Sequence, residues 1–300
     1  MAACAPAGET AAPSGGPVYP TFTAPPGVTP SPTPTHTAII PPTFTPVPSP
    51  TPTATLVPPT ATPTPEACLF AGGQITQHTL RTATDPLPWE FRVYTPPCYN
   101  EHPDARYPLL ILIHGSTFND SQWDNLGADE TADTLIASGK VSPFIILMPR
   151  DRVWNEPTED PFGEALIASI IPWVDQNYRT LTDRPHRAIG GLSRGASWAV
   201  HLGFKYWQSF GAIGGHSLPV FLTDPPRLSV WLDAIPADQL PRIYLDIGDK
   251  DYLLTNALEF EAMLTARNIP HEWHLYTGRH EEAYWNAHVE EYLRWYAAGW

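Results

Sequence analysis

The chain has 300 residues, 37 prolines and a formal net charge of −14, all unevenly distributed. Residues 1–66 hold 19 prolines, 15 threonines, two acids (Glu9 and Glu66) and no Lys or Arg, which is too little apolar content to bury a core. The remaining residues carry all 11 tryptophans and a net −12 (17 Lys+Arg against 29 Asp+Glu once Glu9 and Glu66 are set aside), enough chain for one α/β domain; the clustered cations that a nucleic-acid backbone requires are lacking, and no apolar run reaches the roughly 18 residues of a membrane span.

Repeated Thr-Pro and Ser-Pro units from Thr29 to Pro65 favour extended polyproline II, because proline fixes its own φ and restricts the residue before it. At about 3.1 Å per residue the 60-odd residues of the segment 1–66 reach on the order of 200 Å when fully extended, which suits a tether. Met1-Ala2-Ala3-Cys4 resembles the cleavage end of a bacterial lipoprotein signal, whose basic and apolar regions are absent from this sequence. On that resemblance Cys4 is a lipid anchor, the sole membrane attachment expected, and the chain is extracellular or displayed on a bacterial cell surface. Setting Cys4 aside leaves Cys68 and Cys98, which allow one intramolecular disulfide in an oxidising compartment.

In chain order, Gln74 to Thr82 and Trp89 to Tyr94 read as two antiparallel strands separated by the turn-rich Asp85-Pro86-Leu87-Pro88. Short apolar runs then alternate with amphipathic stretches: a strand over Pro108 to His114, a helix over Asp129 to Ser138, a strand over Pro143 to Met148, and a helix over Gly163 to Asn177. His186 to Gly191 enters a tight turn and a helix from Arg194 to Tyr206. Phe210 to Gly214, Arg242 to Ile247 and Glu272 to Tyr276 supply further strands, and a helix from Tyr284 to Tyr296 closes the chain. This alternation predicts a predominantly parallel sheet covered by helices on both faces over residues 67–300.

Gly191-Leu192-Ser193-Arg194-Gly195 matches G-x-S-x-G, with Arg187 to Gly190 before it and the small residues Ala196, Ala199 and Gly203 after it. Strand, sharp turn and packable helix are the context of a nucleophile elbow. A serine hydroxyl needs a base, and the base needs an orienting acid. In α/β-hydrolases the chain order is Ser, acid, His, with acid and base on loops after late strands. Gly248-Asp249-Lys250-Asp251 and Thr277-Gly278-Arg279-His280 follow two such strands, giving His280 as base and Asp251 or Asp249 as acid. His216 precedes the acids, His271 and His274 fall before or within a strand, and His288 in the last helix is the remaining rival. Two backbone N–H donors are expected for a tetrahedral oxyanion, one from Arg194 and one from Ser116, with Thr117 in reserve, after His114-Gly115. His114 itself is expected to pin that loop by hydrogen bonds. No metal is expected: His271 and His274 point to opposite faces of a strand, and Asp249-Lys250-Asp251 lacks the glycine and terminal glutamate of a calcium loop.

Val93-Tyr94-Thr95-Pro96-Pro97-Cys98-Tyr99, the Leu109 to Gly115 run with Trp123 downstream, Gly191 to Gly195, Gly248-x-x-Asp251 and His280-x-x-x-x-Trp285 together resemble the esterase D type of esterases. Feruloyl and acetyl-xylan esterases, enterochelin-type esterases, S-formylglutathione hydrolases and mycolyltransferases belong to that group. The resemblance covers residues 72–300 and implies an α/β-hydrolase fold and cofactor-free cleavage of carboxylic esters through an acyl-serine. Its Gly-x-x-Asp favours Asp251 as the acid. One departure is Cys98, where that loop often carries glycine. Trp123 and Trp285, with Trp154, Trp198 and Trp207, are candidate aromatic platforms for an ester of a small molecule or a decorated polysaccharide. A non-catalytic binding module on the same fold and an acyltransferase using the same triad are the competing readings.

Overall fold

The computed structural model describes residues 66–82 and 87–300; Cys4, the Pro/Thr-rich stretch through Pro65 and the turn at Asp85-Pro86 lie outside them. Among the described residues, eight strands form one sheet in the order β1-β2-β4-β3-β5-β6-β7-β8. β1 (Gln74–Leu80) and β2 (Trp89–Thr95) pair antiparallel, as their alternating sequences predict, and β1 ends two residues short of the expected Thr82. β2 runs antiparallel to β4 (Ile145–Pro149), and every remaining pairing, from β4 through β3 (Leu109–Ile113), β5 (Arg187–Leu192), β6 (Ala212–His216), β7 (Arg242–Gly248) and β8 (Glu272–Tyr276), is parallel.

The central strands are apolar on both sides because both sides are covered. Leu109, Ile111 and Ile113 of β3 face one core with Ile145, Ile189 and Ile213. Leu110 and Leu112 face the other with Ile146, Met148 and Leu192. The first core is closed by α3 (Phe162–Ala165), α4 (Ile171–Asn177), α5 (Arg194–Lys205), α6 (Pro225–Ala234) and α7 (Leu254–Ala266). The second is closed by α1 (Gln122–Asn125), α2 (Ala128–Ala137) and α8 (Glu282–Ala297).

The helix expected over Gly163 to Asn177 is interrupted, because Leu166–Ile170 between α3 and α4 is a π turn in which the Ile171 N–H bonds the Leu166 carbonyl. Pro172 follows directly and has no N–H to continue the α ladder, so the wider turn absorbs the break. Cys68 and Cys98 are joined by a disulfide that staples the start of the described chain to the loop after β2.

Chain direction places the site. From β3 the chain runs out to β4 and then returns to β5 on the other side of β3, so the order reverses between β3 and β5. Crevices outside the carboxyl ends of strands at such a switch point are where open α/β sheets bind ligands.

Candidate active site

Ser193 lies between β5 and α5 at φ 53°, ψ −123°, a conformation that L-residues rarely adopt. The flanking glycines make this turn sterically feasible. A Cβ on Gly191 would overlap the Gly195 carbonyl group, and one on Gly195 would run into the Ile113 carbonyl of β3. The Ser193 N–H donates to the His216 carbonyl (2.8 Å), which ties the turn to β6.

Loops from the same sheet edge bring Asp251 and His280 to this serine. The β7–α7 loop and the β8–α8 loop are laced by backbone bonds from Asp249 N–H to Tyr276 (2.7 Å) and Lys250 N–H to Gly278 (2.9 Å). Gly248 permits this close approach, since a Cβ there would strike the Gly278 carbonyl, and so Gly-x-x-Asp has a steric reason. Ser193 Oγ donates to His280 Nε2 at 2.9 Å, and His280 Nδ1 donates to Asp251 Oδ2 at 2.9 Å and Oδ1 at 3.1 Å. Burial pushes the Asp251 carboxyl up, but hydrogen bonds from His280, the Leu253 N–H (2.9 Å) and Ser217 outweigh it and hold it below the ordinary value. Asp251 is therefore an acceptor and keeps His280 in the tautomer whose Nε2 is free to take a proton.

Asp249, the alternative acid, is exposed and accepts the Gly278 N–H at 3.0 Å. His288 stacks on Tyr276 (4.3 Å between rings) and pairs with Glu291, away from Ser193. His216 is buried, with Nδ1 on Asp246 (2.6 Å) and Nε2 on the Tyr296 hydroxyl (3.0 Å).

Gly115 to Phe118 close a turn in which the Phe118 N–H bonds the Gly115 carbonyl (3.3 Å). The Gly115 N–H is taken by Gln122 Oε1 at 2.8 Å. Two N–H groups of the turn, those of Ser116 and Thr117, have no acceptor among the described residues. Thr117 stands at φ 68°, unusual for a β-branched residue. Ser116 and Thr117 line the same cavity as Ser193, a cleft of about 370 Å³ that is also lined by Phe118, Gln122, Tyr252, His280, Glu281, Glu282 and Trp285. Arg194 begins α5, so its N–H belongs to a helix N-terminus, where negative charge is favoured. His114 pins the loop as expected, donating from Nδ1 to the Gly115 carbonyl (2.7 Å).

Trp285 lies edge-on to His280, 4.9 Å between rings, and its Nε1 donates to Ser217 Oγ. Trp123 is corrected: it is 1% exposed, does not line the cavity, and donates Nε1 to the Ile113 carbonyl as part of the core. Of the other tryptophans, Trp154 is exposed and Trp198 is core, and neither they nor Trp207 line the cavity. Residues that the sequence did not single out are Ser217, Gln122, Phe118 and Tyr252, although Ser217 directly follows a strand on the active edge. Among the described residues, Glu66, Cys98 and His102 come together as a possible ligand set, but the Cys98 sulfur is committed to the disulfide.

An eight-stranded, mostly parallel sheet with helices on both faces and a serine on the turn between strand and helix is an α/β-hydrolase fold. Residues 87–296 match the family described as "Putative esterase", and the chain belongs to that family. It is 31% identical over 158 residues to an endo-1,4-beta-xylanase/feruloyl esterase of Xylanibacter ruminicola, a match covering 49% of this chain and 20% of that protein. An esterase of Mycobacterium tuberculosis is 32% identical over 126 residues, 39% of this chain and 26% of its own. The aligned segments thus span about a quarter or less of these curated relatives. A ferulic acid esterase structure superposes with a TM-score of 0.68 at 22% identity, covering 76% of this chain and 99% of the other. The feruloyl esterase module from Clostridium thermocellum complexed with sinapinate gives 0.65 at 18%, covering 78% and 92%; at these identities the likeness is one of fold.

Proposed function

We propose that residues 67–300 are a serine carboxylic ester hydrolase. The observation that carries this reading is the hydrogen-bonded line from Ser193 Oγ through His280 to the Asp251 carboxylate, with 2.9 Å at each step. Ser193 Oγ attacks the ester carbonyl carbon while its proton passes to His280 Nε2, and the resulting oxyanion accepts hydrogen bonds from the Arg194 N–H and from the Ser116 or Thr117 N–H. The C–O bond to the alcohol then breaks as His280 returns that proton to the leaving oxygen. Water then attacks the acyl carbon and gives a proton to His280 Nε2; the bond from that carbon to Ser193 Oγ breaks as His280 returns the proton to Oγ, and the carboxylic acid leaves.

The substrate reading is a feruloyl or acetyl ester carried by a polysaccharide. Relatives named as feruloyl esterases support it. So do Phe118, Tyr252 and Trp285 around the cleft, as aromatic surface suited to a phenolic acyl group or a sugar face. Among the described residues no Lys or Arg lines the cleft, whereas Glu281 and Glu282 do, which favours an uncharged ester over an anionic one. In the same reading residues 1–66 are a tether, lipid-anchored at Cys4, that holds the catalytic domain at the outer cell surface, and the disulfide suits that compartment.

The test is hydrolysis of p-nitrophenyl acetate and methyl ferulate by the full chain and by Ser193→Ala, with a fluorophosphonate probe counting reactive serines. Turnover and single labelling that both vanish in Ser193→Ala are expected. A folded wild-type chain that neither turns over nor labels would replace the esterase with a binding module on the same fold.

A further inference from the structure

Two separate pieces of backbone must aim at one oxygen in the esterase reading: the turn after β3 and the first residue of α5. Side chains buried behind them are linked in one chain. Asp151, just beyond β4, donates its backbone N–H to His114 Nε2 at 2.9 Å. Because that N–H can only donate and the Gly115 carbonyl can only accept, the His114 ring is neutral, with its proton on Nδ1. Burial keeps it so by lowering its pKa. The Asp151 carboxylate reaches the other way, where Oδ2 accepts Arg194 Nε at 2.6 Å and Trp198 Nε1 at 2.9 Å. The Arg194 guanidinium is held further by Asp160 Oδ2 (2.8 Å) and the Asn155 carbonyl (2.7 Å).

We propose that His114, Asp151 and Arg194 form a positioning unit that sets the two backbone arms of the oxyanion site relative to one another. This rests on the esterase reading. Arg194 contributes its backbone N–H to the oxyanion, and its own side chain is the part gripped by Asp151, so the clamp acts on the residue that carries the donor. The other end grips the carbonyl of Gly115, at the head of the turn that carries the Ser116 and Thr117 N–H groups. An arrangement built for stability alone would not bury two carboxylates around one guanidinium, since apolar packing of similar volume does as well or better. The electrostatic cost is visible at Asp160, whose carboxyl is pushed up to about 6 by burial and then by the Asp151 charge. Oxyanion donors need placement within a few tenths of an ångström, and a buried, directional network supplies that where dispersion contacts do not.

Asp151→Asn keeps the shape and removes the charge, while Trp198→Phe keeps an aromatic ring and removes one donor to Asp151. Both are to be measured with p-nitrophenyl acetate, with a fluorophosphonate count of reactive Ser193, and with an aryl trifluoromethyl ketone, whose serine adduct carries an oxyanion. For Asp151→Asn, kcat per labelled site should fall about 10- to 100-fold with KM within about threefold, and the ketone should bind more weakly by the same factor as kcat falls. Trp198→Phe should move kcat and ketone affinity together by a smaller factor, and it reads the same property should Asp151→Asn fail to fold. Variants that lose thermal stability but keep kcat per labelled site and ketone affinity overturn the proposal and leave the esterase standing, as does a rise in KM at unchanged kcat. A wild-type chain without Ser193-dependent turnover or labelling removes both readings.

Discussion

His280 and His288 are eight residues apart in sequence, and their surroundings separate them. His280 lies between the Asp251 carboxylate and Ser193 Oγ, with Tyr252 and Trp285 packed around its ring. His288 stacks on Tyr276, packs at a tilt against Tyr284 and does not line the cleft. His280→Ala should therefore lower kcat about 10³-fold or more, whereas His288→Ala should leave kcat within a few-fold and lower the melting temperature; steady-state kinetics beside thermal denaturation check this. Asp160 governs a pH effect. Its folded carboxyl titrates near 6, above its unfolded value, so the stability it contributes is present below about pH 4 and is lost as the pH rises through 6. Buried His114 contributes in the opposite sense, since its depressed folded value costs stability as the pH falls below about 6.5. Replacing Asp160 by Asn should accordingly destabilise most at pH 4 and progressively less towards pH 7, read as the difference in melting temperature from wild type. A deficit that grows with pH would mean that pairing with Arg194 outweighs burial.

Elements meet in this domain through missing side chains as much as through present ones. Tyr296 of α8 lays its phenol over β5 and β6, where Gly190 and Gly214 leave room, and donates its hydroxyl towards His216 Nε2 at 3.0 Å. A Cβ at Gly214 would overlap that hydroxyl, and the fully buried ring has nowhere to go. Gly214→Ala should cost about 1–3 kcal/mol, measured by urea denaturation, although Ala is the better strand residue on propensity. The elements themselves were unevenly legible. Strands β3 to β8 and helices α2, α5 and α8 stand out as apolar runs and amphipathic stretches. α6 and α7 stand out less: α6 buries little beyond Leu228 and Leu232 and opens with two prolines. α7 carries Ala257, Phe260 and Leu264 at helical spacing, so its sequence does hold a helix signal.

At the scale of the whole domain, the disulfide closes a span of 30 residues from Cys68 to Cys98, across β1 and β2 at the edge of the sheet. On chain-entropy grounds a loop of that length adds roughly 3–4 kcal/mol, offset in part by Cys98 holding φ 61°, where glycine would be at ease. Cys68→Ser should lower stability by about 2–4 kcal/mol, and reductant should bring the wild type to the same level without changing the variant. The sequence by itself determined the fold class, because period-two and period-3.6 apolar patterns are local. It also located the elbow at Ser193 and the loops of Asp251 and His280, because chain order and glycine spacing are sequence properties. The resemblance favoured Asp251 over Asp249 before any geometry, and the tertiary structure adds that the Asp251 carboxylate is the one bonded to His280; removing Trp123 from the cleft and finding Ser217, Gln122 and Asp151 needed the tertiary structure. Each of those depends on which way a side chain points once strands distant in sequence lie side by side, and pairwise distances between such strands are set by packing of the whole sheet and its two layers of helices.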